Sequence, residues 1–123
     1  MKKVVFSQQA PAPIGPYSQA ILVGNMLFVS GQIALKDGQM IQDSIENETH
    51  QVMKNVGAVL EAAEMSFANI VKTSIFVKDL NNFQKINEVY GSYFAENPPA
   101  RETVEVSRLP KDANVEISCI AIK

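Results

Sequence analysis

The sequence predicts an α+β fold in which two helices cover one face of a mixed β-sheet. Short runs of β-branched and apolar residues, which indicate strands, alternate with two longer segments of helical periodicity. The elements follow one another in the order ββαβαββ. The chain has 123 residues, of which 46% are hydrophobic and 20% are charged. This length and composition predict one globular domain over residues 1–123.

The first strands follow an irregular segment. Three prolines and a glycine within residues 11–16 stiffen the chain there, because each proline fixes its own φ and restricts its predecessor. Ala20–Val23 and Met26–Val29 then flank Gly24-Asn25, a two-residue sequence of the kind that closes a β-hairpin. Asp37-Gly38 marks a further turn.

Two segments have helical periodicity. Between Ser44 and Glu64 apolar residues recur at spacings of three, four and seven, and charged residues such as Glu48 fall outside that stripe. The stripe consists of Ile45, Val52, Met53, Val56, Leu60 and Ala63. A second helix begins near Asn81 or Asn82, either of which can cap it, and Pro98-Pro99 is expected to end it. Its apolar stripe consists of Phe83, Ile86, Tyr90 and Phe94.

Three further strands complete the predicted sheet. The strand 70–77 lies between the helices, and the strands 101–106 and 114–122 follow the second helix, joined by Leu109-Pro110-Lys111-Asp112. We expect each helix to link neighbouring strands as a right-handed crossover.

The last strand also predicts how the chain assembles. Its alternate residues Val115, Ile117, Cys119 and Ala121 would face the helices, yet Ile120 and Ile122 on the other face are also apolar. Two helices cannot cover both faces of one sheet. We therefore expect the second face to contact other subunits.

Composition excludes several classes of function. A net charge of −2 and a pI near 5.4 give no general attraction to nucleic acid or anionic lipid, so we expect no nucleic-acid partner. Cys119 and His50 are the only residues of their types, which excludes an internal disulfide and a tetrahedral metal site. No signal peptide and no segment long enough to cross a bilayer is present. These features predict a soluble, cytoplasmic protein without a bound metal.

The familiar catalytic motifs are missing. The sequence has no G-x-S-x-G, no Walker loop and no G-x-G-x-x-G. His50 lies in the middle of the first helix, and a lone histidine without an evident partner is expected to be structural. Cys119 lies between apolar neighbours in the last strand and is expected to be a small buried hydrophobe.

Arg101 opens a strand in which polar and apolar residues alternate. Alternation predicts that Arg101, Thr103 and Glu105 share one face, while Val104 and Val106 point into the core. An arginine buried at an interface needs a carboxylate or phosphate partner, because its charge cannot be neutralised by deprotonation.

Two other polar residues are candidates for the same site. Glu116 lies in the last strand, on the face opposite the helices, and we expect Arg101 on that same non-helical face. Asn87 interrupts the apolar stripe of the second helix. The structural alternative is an ion pair of Arg101 with Glu116 or Glu105 between subunits.

Four segments are recognisable as motifs: A-P-I-G-P-Y-S-Q-A at 12–20, V-S-G-Q-I at 29–33, P-A-R at 99–101 and V-E-V-S-R-L-P-K-D at 104–112. Together they resemble the Rid (reactive intermediate deaminase) family, RidA subgroup. The resemblance extends from about Val5 to Lys123 without a large insertion or gap. It implies a chorismate-mutase-like fold and a homotrimer with three active sites in the clefts between subunits.

The resemblance also implies a role for each site residue. Arg101 matches the arginine that binds the substrate carboxylate, and Glu116 matches the acidic residue that positions or activates the attacking water. Thr103 matches a position of the same cleft at which many members have cysteine. This difference implies altered affinity or oxidation sensitivity. Glu102 is turned away by strand alternation. The remaining cleft residues are Tyr17, Ser30, Gly31 and Asn87.

The implied reaction is hydrolysis of 2-iminopropanoate and 2-iminobutanoate to 2-keto acids and ammonia. The substrates are enamine/imine tautomers that form when pyridoxal-phosphate enzymes dehydrate serine or threonine. Arg101 would bind the carboxylate through its two-pronged guanidinium and draw electrons from C2, and Glu116 would hold the water. Backbone groups near Ser30-Gly31 would bind the leaving nitrogen or the developing charge. The reaction requires no cofactor, because the imine is already electrophilic.

Three other functions remain open. A non-catalytic protein that binds a keto acid would use the same cleft. A ribonuclease or translation inhibitor, as some family members have been described, would need phosphate contacts, but the chain has 11 Lys+Arg against 13 Asp+Glu. Chorismate mutase activity would rest on fold analogy alone, and only Arg101 and Arg108 are available to hold a substrate with two carboxylates.

Overall fold

Two helices cover one face of a mixed β-sheet, as predicted, and the sheet has six strands where five were expected. The computed structural model describes every residue, Met1–Lys123. The strands are β1 (Lys2–Val5), β2 (Ala20–Val23), β3 (Met26–Gln32), β4 (Leu35–Lys36), β5 (Gln39–Met40), β6 (Ile70–Val77), β7 (Ala100–Glu105) and β8 (Val115–Ile122), and the helices are α1 (Ile45–Ala62) and α2 (Phe83–Gly91). The strand order is β1-β2-β3-β8-β6-β7, while β4 and β5 form a separate hairpin. Only the β6–β7 pair is parallel.

The first hairpin lies where the sequence predicts it, but the short strands around it were missed. β2 and β3 pair across Gly24-Asn25, where Gly24 has a φ of 60° that suits a tight turn. β1 pairs antiparallel with β2, and its four residues are too few to show an alternation. Asp37-Gly38 closes the β4–β5 hairpin. β3 continues past Val29 to Gln32, beyond an irregularity in its pairing with β8.

Helix α1 begins at a capped residue and packs its predicted stripe against the sheet. The Ser44 side chain accepts a hydrogen bond of 3.0 Å from the backbone N–H of Asn47. Five of the six predicted stripe residues are buried, and only Ile45 is half-buried. Truncating one of them, for example Leu60→Ala, would cost about 2–5 kcal/mol of stability. Neither α1 nor the shorter α2 combines the length and apolar character that a membrane crossing requires.

Glu48 is the exception to the helical pattern of α1. It falls outside the apolar stripe, yet it is only 1% exposed. Its two carboxylate oxygens accept hydrogen bonds of 2.8 Å from the backbone N–H and from the side-chain amide of Asn114. A buried carboxylate needs such partners. These bonds fasten the start of β8 to α1, a long-range contact that periodicity along the helix cannot show.

Helix α2 ends well before Pro98-Pro99, contrary to the prediction. Its last residue is Gly91, a poor helix former, and the hydroxyl of Ser92 donates a hydrogen bond of 2.6 Å to the carbonyl of Val89. This bond competes with continuation of the helix. Phe94 therefore lies beyond the helix, with its ring centroid 4.9 Å from that of Tyr90.

The connection through α1 also differs from the prediction. β8 lies between β3 and β6 in the sheet, so α1 links two strands that are not neighbours. β8 pairs antiparallel with both of them. The prediction was wrong because the last strand inserts between two strands that precede it in the chain. Helix α2, by contrast, links the parallel neighbours β6 and β7, as expected.

The two faces of the sheet are covered differently. Val115, Ile117, Cys119 and Ala121 are buried under the helices, as predicted. No layer covers the opposite face, where Ile120 and Ile122 are half-buried and Met26, Phe28 and Val104 are exposed. Val104 was predicted to lie in the core and does not. Met26 and Phe28 are paired with Ile122 and Ile120 across β3 and β8, and an exposed apolar patch of this kind is typical of an interaction site.

Candidate active site

Four of the predicted site residues line one cleft. It has a volume of about 540 Å³ and lies between the N-terminal loop, the end of β3 and the start of β8. Tyr17, Ser30, Gly31 and Glu116 contribute to its wall, together with Lys111. Most of the remaining wall is apolar and comes from Pro11, Ala12, Ile14, Ile33, Leu35 and Pro110.

Ser30 and Gly31 lie where β3 departs from regular pairing. The register between β3 and β8 shifts between Val29 and Gln32, and such irregularities re-aim side chains near functional sites. The backbone N–H of Ser30 donates to the carbonyl of Gln19 at 2.9 Å. Its hydroxyl donates to the carbonyl of Ser18 at 2.6 Å. Both bonds fasten this stretch of β3 to the segment just after Tyr17.

A buried amide holds the N-terminal loop against the sheet. Gln19 is only 2% exposed. Its oxygen accepts a hydrogen bond of 2.6 Å from the N–H of Ser7, and its nitrogen donates to the carbonyls of Ser7 at 3.1 Å and Pro11 at 2.9 Å. The loop is not part of the sheet there, so this side chain satisfies its backbone groups. Tyr17 follows in the loop, with about half of its side chain exposed.

Glu116 contacts Gly31 and has no polar partner within the chain. A Cβ atom at position 31 would lie 2.6 Å from Oε2 of Glu116, so the carboxylate occupies space that only glycine leaves free. The carboxylate makes no ion pair, and burial raises its pKa above the usual range. A half-buried carboxylate with free acceptor oxygens is suited to hold and deprotonate a water molecule.

Arg101 is held by three side chains of α2. Its guanidinium donates a hydrogen bond of 2.7 Å to the side-chain oxygen of Asn87. The guanidinium carbon lies 5.1 Å from the ring centroid of Tyr90 and 5.6 Å from that of Phe83, within the range of cation–π attraction. The hydroxyls of Tyr90 and Thr73 are 2.7 Å apart, a hydrogen bond that fixes the Tyr90 ring. None of these partners neutralises the charge of Arg101.

Thr103 lies one strand period beyond Arg101, on the same face of β7. Its hydroxyl oxygen is buried and has no hydrogen-bond partner. Such an unpaired buried group is uncommon, and it fits a position that contacts a ligand. Glu102 points to the other face, as predicted, where Ser74 donates to its carboxylate and Lys72 pairs with it at 3.0 Å.

Arg101 and Glu116 do not share a face of the sheet, contrary to the prediction. In the parallel pairing of β6 and β7, Arg101 is opposite Thr73, whose side chain is buried under the helices. In the pairing of β6 and β8, Glu116 is opposite Phe76 on the non-helical face. The prediction assumed that Val104 points inward. At the edge strand β7 that assumption fails, because the polar face of the strand packs toward α2, where Asn87 accepts a hydrogen bond from Arg101.

The chain therefore carries two separate groups of candidate site residues. One group is Arg101, Asn87 and Thr103 on the helical face at the β7 edge. The other group is Tyr17, Ser30, Gly31 and Glu116 in the cleft. Within the chain Arg101 forms no ion pair, since the two ion pairs are Lys72–Glu102 and Arg108–Asp112. Glu105 instead accepts a hydrogen bond of 2.9 Å from the N–H of Leu80.

The prediction that Cys119 is a buried residue is confirmed, and Arg108 and His50 belong to neither group of candidate site residues. Cys119 is buried, and burial raises the pKa of its thiol to about 12, which leaves it unreactive. Arg108 is exposed and pairs with Asp112 at 2.9 Å. His50 lies outside the cleft, although it does have a partner that the sequence did not reveal: its Nδ1 is 2.9 Å from the Tyr93 hydroxyl.

Sequence reasoning missed three residues at the two groups. Phe83 and Tyr90 were assigned to the apolar stripe of α2, and their contact with Arg101 depends on the pairing of β7. Lys111 was regarded only as part of a connecting turn. Nothing in the sequence around Lys111 indicates a site, because the turn 109–112 comes beside Glu116 only in the folded chain.

Comparison with protein families identifies the chain. The model of the family described as Endoribonuclease L-PSP matches residues 7–123. The chain belongs to this family, which includes the Rid proteins. Its fold is accordingly the chorismate-mutase-like fold that the motifs implied.

Individual relatives of this family are similar over nearly the whole chain. A RutC family protein of Pyrococcus horikoshii is 52% identical over 100% of this chain and 99% of its own length. The human 2-iminobutanoate/2-iminopropanoate deaminase is 41% identical over 100% of this chain and 91% of its own. The crystal structure of Escherichia coli TdcF with bound serine has a TM-score of 0.95 and 39% identity, covering 98% of each chain.

Proposed function

We propose that this protein hydrolyses 2-imino acids, such as 2-iminopropanoate and 2-iminobutanoate, to 2-keto acids and ammonia. The observation that carries the proposal is a complementary pair of unused charges. Arg101 is oriented by Asn87 and two aromatic rings but has no carboxylate partner within the chain. Glu116 is half-buried in a cleft with an elevated pKa and no hydrogen-bond donor. The carboxylate of an imino acid would pair with Arg101, and Glu116 would hold the water that attacks its electrophilic carbon.

The reaction needs few groups. The guanidinium of Arg101 binds the planar carboxylate through two parallel hydrogen bonds and holds the C=N bond in position. The imine binds as the protonated iminium, and Glu116 accepts a proton from water as the water oxygen bonds to C2. Glu116 then passes this proton to the amine nitrogen and takes up the hydroxyl proton as ammonia leaves. The tetrahedral intermediate thus expels ammonia, which leaves the C2=O bond of the keto acid. Backbone groups at Ser30-Gly31 stabilise the developing charge on nitrogen.

The proposal requires a second copy of the chain. Arg101 and Glu116 lie on opposite faces of the sheet, so a single chain cannot direct both at one small molecule. The apolar non-helical face provides a surface for association, and a homotrimer would bring the β7 edge of one subunit to the cleft of the next. Each site would then combine Arg101, Asn87 and Thr103 of one subunit with Tyr17, Gly31 and Glu116 of its neighbour.

The relatives support the substrate class. The human relative carries the name of a 2-iminobutanoate/2-iminopropanoate deaminase. The relative TdcF binds serine, an amino acid whose α-carboxylate resembles that of an imino acid. The description of the family model names an endoribonuclease, but a net charge of −2 provides little attraction for RNA.

A coupled assay tests the activity. Serine dehydratase generates 2-iminopropanoate, semicarbazide traps it, and added protein should reduce the trapped fraction while pyruvate and ammonia form at the same rate. Pyruvate binding without faster imine loss would support the non-catalytic alternative. Cleavage of a single-stranded RNA by the same preparation, abolished by Arg101→Ala, would support the nuclease description.

Subunit mixing tests the composition of the site. Arg101→Ala and Glu116→Gln subunits should each form inactive homo-oligomers. When they are unfolded together and refolded as a 1:1 mixture, roughly a quarter of the inter-subunit sites should contain both native residues, with a corresponding return of activity. A mixture that stays inactive, although mixed oligomers form, would contradict a site shared between subunits.

A further inference from the structure

Lys111 has a backbone conformation that its residue type does not explain. Five non-glycine residues have positive φ, namely Asp37, Glu64, Asn97, Lys111 and Asp112. Three of them are Asp or Asn, which tolerate the left-handed region, and Glu64 lies just past the end of α1, where that conformation is common. Lys111 has φ 55° and ψ 29° inside a turn and belongs to neither class.

This conformation is unfavourable for lysine. In the left-handed region the Cβ atom of an L-residue approaches the following carbonyl oxygen, whereas glycine adopts the region without that contact. A glycine or an asparagine at position 111 would therefore suit the backbone better. Strained residues of this kind concentrate at functional sites, where the surrounding structure imposes them.

Hydrogen bonds and an ion pair hold the residues that follow Lys111 in this turn. The carbonyl of Asp112 accepts a hydrogen bond of 3.0 Å from Gln42, and its carboxylate pairs with Arg108 at 2.9 Å. Asn114 is fastened to the buried Glu48 by two bonds of 2.8 Å. The turn is thus fixed on the side of α1, and Lys111 is presented on the side of the cleft.

Lys111 is the only cationic residue that lines the cleft, and Glu116 is the only anionic one. The α-carboxylate of an imino acid is assigned to Arg101, which lies on the other face of the sheet. Because Arg101 already pairs with this carboxylate, a substrate with only one carboxylate leaves Lys111 without an anionic partner.

We propose that Lys111 is a specificity-determining residue that binds a second anionic group, the side-chain carboxylate of a dicarboxylic 2-imino acid. The proposal rests on the proposed function and names a further substrate class for the same site. Hydrolysis is unchanged: water adds to C2, ammonia leaves, and a dicarboxylic 2-oxo acid forms. The ammonium of Lys111 acts at the distal carboxylate and takes no part in bond breaking.

Binding of two 2-oxo acids to the assembled protein tests this role without turnover. Titration calorimetry with pyruvate and with 2-oxoglutarate gives an affinity ratio for each variant. Wild type should bind 2-oxoglutarate more tightly, and Lys111→Met should lower that ratio by about two- to fivefold, as expected for a partly screened ion pair. Lys111→Gly should lower it equally with an unchanged or higher melting temperature, because glycine relieves the strained backbone.

The control and the contrary outcomes are distinct. Lys54→Met removes the same charge from the exposed side of α1 and should leave the ratio unchanged. The proposal is overturned if wild type does not prefer 2-oxoglutarate, if Lys111→Met weakens both ligands equally, or if Lys54→Met acts like Lys111→Met. A lower melting temperature of Lys111→Gly would overturn the strain argument. If Lys111→Met lowers the affinity ratio but the wild type hydrolyses no imine, the proposed function is wrong and the role of Lys111 in binding is retained.

Discussion

The carboxylate of Glu116 lies against the bare Cα of Gly31: a Cβ at position 31 would come 2.6 Å from Oε2 and 2.7 Å from Cδ. Only atoms of the Glu116 side chain lie this close. A methyl group at position 31 would therefore displace the carboxylate rather than the sheet.

Gly31→Ala should reduce the rate of imine hydrolysis with little change in stability. A displacement of about 1 Å at a reacting group costs on the order of a hundredfold in rate. The effect should appear in kcat more than in the affinity for pyruvate, since Arg101 is not disturbed. Gly91→Ala is the matched control, because no atom lies within 4 Å of a Cβ at that position. Equal kcat for Gly31→Ala and wild type would remove this contact from the mechanism.

Glu116→Gln should slow hydrolysis by about 10²–10⁴-fold, the usual contribution of a general base. In wild type kcat/KM should rise with pH through a pKa above the usual glutamate range, because only the ionised carboxylate accepts a proton. The rise should be absent in the variant. An unchanged pH profile for the variant is the outcome that excludes Glu116 as the base.

The same variant distinguishes a catalytic from a structural Glu116. Because the folded protein raises the pKa of Glu116, it binds this proton more tightly than the unfolded chain does, and stability falls as pH rises from the usual glutamate pKa to the raised value. Glu116→Gln removes that loss, so its melting temperature at pH 7 should equal or exceed that of wild type. If Glu116 paired with Arg101 between subunits, the substitution would lower the melting temperature and weaken pyruvate binding.

Arg101→Lys should lose most activity although it keeps the charge. An ammonium group cannot bond to Asn87 and present a planar two-donor fork at the same time. The loss should be about 2–5 kcal/mol of transition-state stabilisation, or roughly thirty- to several-thousand-fold in kcat/KM. Arg108→Lys alters an exposed arginine in the same way and should have no effect. Near-wild-type hydrolysis by Arg101→Lys would contradict two-pronged binding.

Phe28→Glu should dissociate the protein and abolish activity together. Phe28 is exposed on the apolar non-helical face, so a single folded chain tolerates the charge, whereas an assembly that covers this face does not. Sedimentation should give a 13.5 kDa species with an unchanged circular dichroism spectrum. Lys54→Glu on the outer side of α1 should leave assembly intact. A wild-type protein that sediments as a stable monomer at micromolar concentration would refute the trimer.

Glu48→Ala should destabilise the fold, because it leaves the backbone N–H of Asn114 without its acceptor. The cost should be about 1–3 kcal/mol in the free energy of unfolding, measured by urea denaturation. Glu46→Ala is the matched control, since it removes the other acidic residue of the first turn of α1. Equal losses of unfolding free energy in the two variants would mean that Glu48 stabilises the fold only through the dipole of α1 and not through Asn114.

The local elements were predicted well because their signals are local. Gly24-Asn25 can close a hairpin by its own backbone preferences, and the stripe from Val52 to Leu60 follows from the period of a helix. The end of α2 was misplaced because Gly91 and Ser92 stop a helix more weakly than two prolines do, and only their hydrogen bonds show that the stop is sufficient.

The sequence by itself determined the class of fold, the buried face of β8, the apolar character of the other face and the residue types of the candidate site. Tertiary structure decided where those residues lie. Strand order is set by pairings between distant segments, so only the fold could place β8 between β3 and β6. The registers of β6 with β7 and with β8, and the contact of Asn87 with Arg101 at the β7 edge, put Arg101 and Glu116 on opposite faces. Alternation fixes which residues of one strand share a face, but packing against a neighbouring element decides which face is buried.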